Sequence, residues 1–266
     1  MTDLVLDQLV AHRGRPLFAP ISERIAPGTL VGVVGPNGTG KSSLLSAIIG
    51  RGIERSGTAR YGATALGRLR PRQLAKVVSF VGQDTFAPND LRAGDVVAVG
   101  ARAAGHTADS EARSRRALDR LGVAHLAERS YARLSGGERQ LVQVARCLAQ
   151  DAPIMLLDEP TSALDLSHQL TVLHALKERA SAGHIVVVTI HDLTQALRWA
   201  DRVAVIAGGA ATFGTPADVL TTGLIRQVYG VTAEVFDSPS GSPTLSLVRG
   251  SCPTATTFTR PRRAAS

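Results

Sequence analysis

At 266 residues with 44% hydrophobic content, the chain can form one large or two small packed domains. No apolar run approaches the roughly 18 residues that cross a bilayer, and residues 1–7 lack the basic start and apolar centre of an export signal, so neither a membrane span nor export is expected. A net charge of +8 would suit nucleic acid, yet Lys41, Lys76 and Lys177 are the lysines, the arginines are scattered and aromatics are 4%, so stacking platforms are missing and no nucleic-acid partner is expected.

In chain order, residues 4–10 and 17–25 read as antiparallel strands, and Ala26, Pro27 and Gly28 form a turn into a short apolar strand at 29–34. Apolar residues at helical spacing follow over 43–49, and 57–62 suggests an edge strand. A strand at 77–81 leads to Gln83. From about 84 to 150 helical patterns dominate, at 93–102, 110–121 and 141–149. Beyond 154, apolar strands at 154–157, 185–190 and 203–207 alternate with helices at 166–180 and 193–200, which predicts a parallel sheet covered on both faces. A Ser, Pro and Gly cluster at 238–243 separates two short strand-like pieces, and 251–266 reads as disordered. Cys147 and Cys252 lie far apart without metal-like spacing, and a buried apolar role is expected for Cys147.

The run Gly35, Pro36, Asn37, Gly38, Thr39, Gly40, Lys41, Ser42 fits the G-x-x-x-x-G-K-[ST] phosphate loop and has the strand before it and helix after it that the motif requires. Glycines let successive N–H groups converge on phosphate oxygens at a helix start, where the helix dipole favours negative charge. Lys41 is then placed to reach the β- and γ-phosphates, Ser42 to ligate Mg²⁺, and Ser43 to complete the nucleotide site.

A second constellation decides among phosphate-loop proteins. Leu134, Ser135, Gly136, Gly137, Glu138, Arg139 and Gln140 open an apolar helix, and Ile154 to Leu157 runs into Asp158, Glu159 and Pro160. These pieces together resemble the ATP-binding subunits of ABC transporters, with their LSGGQ or LSGGE signature and a Walker B strand ending in Asp-Glu. The resemblance extends over roughly residues 4–230. Gln83 matches the Q-loop, Ser162 to Asp165 the D-loop, and His191 the switch histidine. Where many members stack an aromatic residue on adenine, this chain has His12. The implied architecture is an α/β phosphate-loop ATPase core with an antiparallel β subdomain and a helical insert carrying the signature. The ATPase domain is expected over 1–235, with 236–266 as a partly disordered extension.

Asp158, at the C-terminal end of a buried strand, is placed to hold Mg²⁺ together with Ser42, and the resemblance adds Gln83 to that set. Glu159 points elsewhere and is the candidate general base, with Gln83 positioning the water and His191 contacting the γ-phosphate. Ser135 to Gly137 form a second anion site away from the phosphate loop. In the family the two half-sites meet across a head-to-tail dimer, with Asp165 near the nucleotide, so a second copy of the chain is an expected partner.

The run Gly94 to Gly100, the His191, Asp192, Leu193 sequence, and Gly214, Thr215, Pro216 followed by Gly223, Leu224, Ile225 resemble ATPases of iron-siderophore, haem and cobalamin import. That implies transmembrane permease partners, indirect contact with an extracytoplasmic binding protein, and a place on the cytoplasmic membrane face. Phe86, Pro88, Leu91 and Val96 are expected to offer the permease an apolar groove, and Arg260 to Arg263 to meet anionic lipid. Manganese or zinc import, or a soluble ABC ATPase of DNA repair or the ribosome, are the alternatives.

Overall fold

The computed structural model describes residues 2–82, 91–238 and 241–248. Two sheets clasp a helix. The first is antiparallel, in the order β2 (Ile21–Ile25), β1 (Leu4–His12), β4 (Glu54–Tyr61) and β5 (Thr64–Ala65), as counted along the chain from β1. Between β2 and β4 lie β3 (Leu30–Val34) and α1 (Lys41–Ile49), and after β5 come α2 (Pro71–Ala75) and β6 (Val78–Val81). The insert follows as α3 (Ala93–Ala104), α4 (Ser110–Arg120) and α5 (Gly136–Gln150). The core resumes with β7 (Ile154–Leu157), α6 (Leu166–Ser181), β8 (Ile185–Thr189), α7 (Leu193–Trp199), β9 (Arg202–Ala207) and β10 (Ala210–Gly214), and the chain continues through α8 (Pro216–Val219), α9 (Thr222–Tyr229), β11 (Ala233–Asp237) and β12 (Pro243–Leu247).

The main sheet has the order β10-β9-β3-β8-β7-β6, parallel throughout except for β10, which pairs antiparallel with β9. Strand alternation divides its apolar residues between two cores. Val31, Val33, Ile154, Leu156, Ile185 and Val187 face α1 and the antiparallel sheet, together with Leu44, Leu45 and Ile48. Leu30, Val34, Met155, Leu157, Val186 and Val188 face the other way, into a core shared with α6, α7 and the insert. Because both faces are covered, these strands read as continuous apolar runs. Cys147 is buried and unpaired in α5, as expected.

Some boundaries move. The strand expected over 17–25 begins only at Ile21, because Pro20 has no N–H to give a ladder and the Ala19 N–H donates instead to Gly209 O at 2.7 Å. The signature helix starts at Gly136, five positions before the apolar pattern shows it, since its first turn is polar and held by a cap. The expected domain boundary at 235/236 falls inside β11, whose hairpin with β12 rests on α7. Of the expected permease groove, Phe86 and Pro88 lie outside the described residues. Val96 is 4% exposed and Leu91 packs against the same apolar cluster, so both serve the core.

Candidate nucleotide-binding and hydrolysis site

β3 delivers the chain to the phosphate loop through a gap that only glycine fits. Gly35 has φ 146°, and a Cβ there would stand 2.1 Å from Ile206 O of the neighbouring strand β9. Gly38 and Gly40 also take positive φ, 78° and 108°, which turns the loop into α1. Lys41 Nζ donates to Gly35 O at 2.8 Å and Pro36 O at 3.1 Å, and Thr39 Oγ1 donates to Pro36 O at 2.9 Å. Burial lowers the Lys41 pKa from its ordinary 10.5, with the Glu159 and Asp158 carboxylates pulling it back up.

On the opposite side β7, buried along its whole length, ends in the two acids. The Asp158 N–H donates to Val81 O at 2.9 Å, which continues the β6 ladder and fixes the buried carboxylate. Its Oδ1 accepts from Thr189 Oγ1 at 2.9 Å, and the same hydroxyl accepts the Glu159 N–H at 2.6 Å. Glu159 has φ 49°, and its Oε1 lies 2.7 Å from His191 Nε2.

Lys41, Glu159 and His191 share a cavity of about 400 Å³, with Asp158 and Thr189 behind its wall and not among its lining residues. Asn37, Gly38, Gly40, Lys41, Ser42 and Ser43 come from the loop and α1, Glu159 and His191 from the ends of β7 and β8, and Arg13 and Leu17 from the turn after β1. Gly35 and Pro36 lie behind it as acceptors for Lys41, and Thr39 lines a second hollow with Arg15, Leu17 and Gly208. His12 does not line the cavity: its Nε2 lies 3.1 Å from Ser56 Oγ of β4, while Arg13 and Leu17 stand at the cavity wall. Gln83 lies outside the described residues.

Four expected residues stand apart from the cavity within one chain. Ser135 caps α5: its Oγ accepts the Glu138 N–H at 3.2 Å, while Glu138 Oε2 accepts the Ser135 N–H at 2.7 Å. Gly137 is pressed on the loop after β7, where a Cβ would meet Ala163 O at 2.8 Å, whereas Gly136 has nothing within 4 Å. Asp165 caps α6 by accepting the His168 N–H at 2.9 Å, and that bond leads the effects that hold its carboxyl below the ordinary 3.8. Sequence reasoning missed Thr189, Arg13, Leu17 and Gln140. Thr189 did carry a signal, as the polar residue in an otherwise apolar buried strand.

A phosphate loop opening a helix at the C-terminal edge of a parallel sheet, with a carboxylate and an imidazole across from it, defines a nucleoside-triphosphate-binding ATPase core. The sequence model of the ABC transporter family matches residues 18–162. Relatives include the hemin import ATP-binding protein HmuV of Bordetella bronchiseptica strain RB50, 43% identical over 87% of this chain and 93% of that protein. The HmuV proteins of Agrobacterium fabrum and Streptomyces coelicolor are 38% and 40% identical, each over 85% of this chain and over 90% and 82% of their own. A solved inward-facing structure described as a metal-chelate type ABC transporter superposes with TM-score 0.76 at 27% identity, covering 93% of this chain and 97% of that one. The chain belongs to the ABC transporter family, as an ATP-binding and ATP-hydrolysing subunit.

Proposed function

We propose that this subunit powers haem import, with ATP phosphates on the loop from Gly35 to Ser42, completed by Ser43, and Glu159 as the general base. The observation that carries the hydrolytic reading is the 2.7 Å contact between His191 Nε2 and Glu159 Oε1, inside the cavity that also contains Lys41 and Ser42. The names and 38–43% identities of the HmuV relatives support haem as cargo.

Backbone N–H groups at the start of α1 receive the phosphate oxygens, and the Lys41 ammonium balances charge on the β- and γ-phosphates. Ser42 and Asp158 offer hard oxygen donors of the kind Mg²⁺ prefers. Bound there, Mg²⁺ supplies neutralisation of the developing phosphate charge. Glu159 takes the proton of the attacking water, His191 holds one oxygen of that carboxylate and reaches the γ-phosphate, and Gln83 orients the water and joins the metal set. Arg13 and Leu17 flank the adenine of the nucleotide, the guanidinium offering a planar face and the leucine an apolar one.

Ser135, Gly136, Gly137 and Asp165 complete the cavity of a second copy in a head-to-tail, two-fold dimer. The dimer sits under a permease at the cytoplasmic membrane face. No helix among the described residues is long and apolar enough to cross the membrane. A hollow of about 510 Å³ lined by Arg92, Asp95, Glu111 and Arg115 is the docking surface we assign to the permease.

Glu159→Gln is expected to keep ATP binding and to lower turnover by about 10² to 10⁴, the usual worth of a general base. Near-normal hydrolysis by that variant would remove Glu159 from the role. For the cargo, vesicles holding the subunit with its permease and a binding protein are expected to take up haem on ATP addition. Uptake of cobalamin or a ferric siderophore in place of haem would reassign it.

A further inference from the structure

Among the described residues three non-glycines take positive φ: Gln8, Asp151 and Glu159. Gln8 lies at the irregularity in β1, and Asp151 ends helix α5, two settings in which such a conformation is common. Glu159 is neither at a bulge nor at a helix end, and side chains rarely adopt this backbone unless their surroundings impose it.

The surroundings are specific. The Glu159 N–H donates to Thr189 Oγ1 at 2.6 Å. Its carbonyl accepts from Gln140 Nε2 at 3.3 Å and from Ser162, whose N–H stands at 3.3 Å and Oγ at 3.1 Å. Ser162 belongs to the turn that Glu159 itself opens, but Thr189 comes from β8 and Gln140 from α5. The Thr189 hydroxyl also donates to Asp158 Oδ1, so one group spans both acids. Gln140 stands one turn beyond Gly137, whose close packing on Ala163 O seats the same helix on the same loop.

We propose that Gln140 and Thr189 are positioning residues for Glu159, holding its backbone in the left-handed conformation that sets the carboxylate against His191. This rests on the reading of Glu159 as the base. Its consequence is that the signature helix acts within its own chain as well as across a dimer: a shift of α5 pulls on the Glu159 carbonyl through Gln140.

Thr189→Val and Gln140→Met keep size and remove the hydrogen bonds. Each is expected to lower kcat about 10- to 100-fold, the scale of a small misplacement of a reacting group, while the KM and affinity for ATP stay within about 2-fold. Thr189→Ser is expected to restore kcat. In a Glu159→Gln background Gln140→Met is not expected to lower residual turnover further, because it acts through that carboxylate. Wild-type kcat in Thr189→Val and Gln140→Met, with Glu159→Gln inactive, overturns the positioning role alone. The same fold loss from Gln140→Met with and without Glu159, or a parallel loss of ATP affinity, also overturns it. If Glu159→Gln hydrolyses ATP normally, the base reading fails and takes this proposal with it. Should Thr189→Val fail to fold, Thr189→Ser and Gln140→Met still decide.

Discussion

Two helices in this chain begin at glycine-rich runs, and they treat their first N–H groups in opposite ways. α1 is preceded by Gly40 in a left-handed conformation, contributes no side-chain cap, and lies in a cavity with Lys41 as its first residue. α5 is preceded by Ser135, carries a complete capping box with Glu138, and lies away from that cavity. Arg129 adds an ion pair to Glu138 at 2.7 Å, and the Ser135 N–H leads the effects that hold the Glu138 carboxyl below its ordinary 4.5. The same backbone device is thus dedicated to an anion in one place and satisfied by the protein's own carboxylate in the other. A phosphate approaching α5 must share Ser135 with Glu138, which suits a contact made only when two subunits close.

The strongest way to break this contrast is to remove the cation on one side. Lys41→Ala is expected to lower ATP turnover at least about 10²-fold, the scale for a lost charge donor to a transferring phosphoryl group. It should also weaken ATP binding, measured by titration with a fluorescent nucleotide. Ser135→Arg is expected to leave monomer binding intact and to stop hydrolysis. Subunits of the two kinds, mixed, are then expected to regain activity through dimers with one intact site. Full activity of a dilute, strictly monomeric sample would end the two-half-site reading.

Packing at the two signature glycines separates them next. Gly137→Ala is expected to destabilise the fold by about 1–3 kcal/mol through overpacking, since its Cβ meets a backbone oxygen. Gly136→Ala, in open space at a helical position, is expected to be neutral or slightly stabilising. Equal melting temperatures for the two variants would show that α5 does not rest on the Ala163 loop. Ser135→Ala follows, at about 1 kcal/mol for a lost cap, read from urea unfolding.

The smallest effect concerns how the insert is anchored. Asp151, at the end of α5, accepts from Arg113 of α4 at 3.2 Å, pairs with Arg179 of α6, and lies 3.2 Å from His184 Nε2. Burial, and then the neighbouring Arg179, lower the His184 pKa from its ordinary 6.5. The folded state therefore favours the neutral ring. Its contribution is complete above about pH 6.5 and is lost as pH falls through the lowered folded value. In His184→Gln the acid-side drop in Tm is expected to shrink by about 2 °C. An unchanged drop would assign it to the carboxylates.

The motifs that name the nucleotide chemistry were legible because each is local. Gly35, Gly38 and Gly40 must be glycines for the backbone to turn, Lys41 must follow them, and Asp158 and Glu159 must end a buried strand, so spacing alone exposes them. The apolar runs of β3, β7 and β8 were equally plain, since burial on both faces leaves no alternation to misread. What escaped was set by partners far away in sequence. β10 is a strand only because β9 gives it a ladder, and β2 is short because Ala19 bonds Gly209 instead of β1.

The sequence by itself determined the phosphate loop, the paired acids, His191 and the α/β order of the core, because those follow from backbone permissiveness and from which residues water rejects. Only the tertiary structure decided that His12 turns to Ser56 and leaves Arg13 and Leu17 in the cavity. It likewise decided that Thr189 joins the two acids and that Gln140 reaches the Glu159 carbonyl. A hydrogen bond between residues 19 or 31 positions apart depends on how β7, β8 and α5 stack, and no local propensity records that distance.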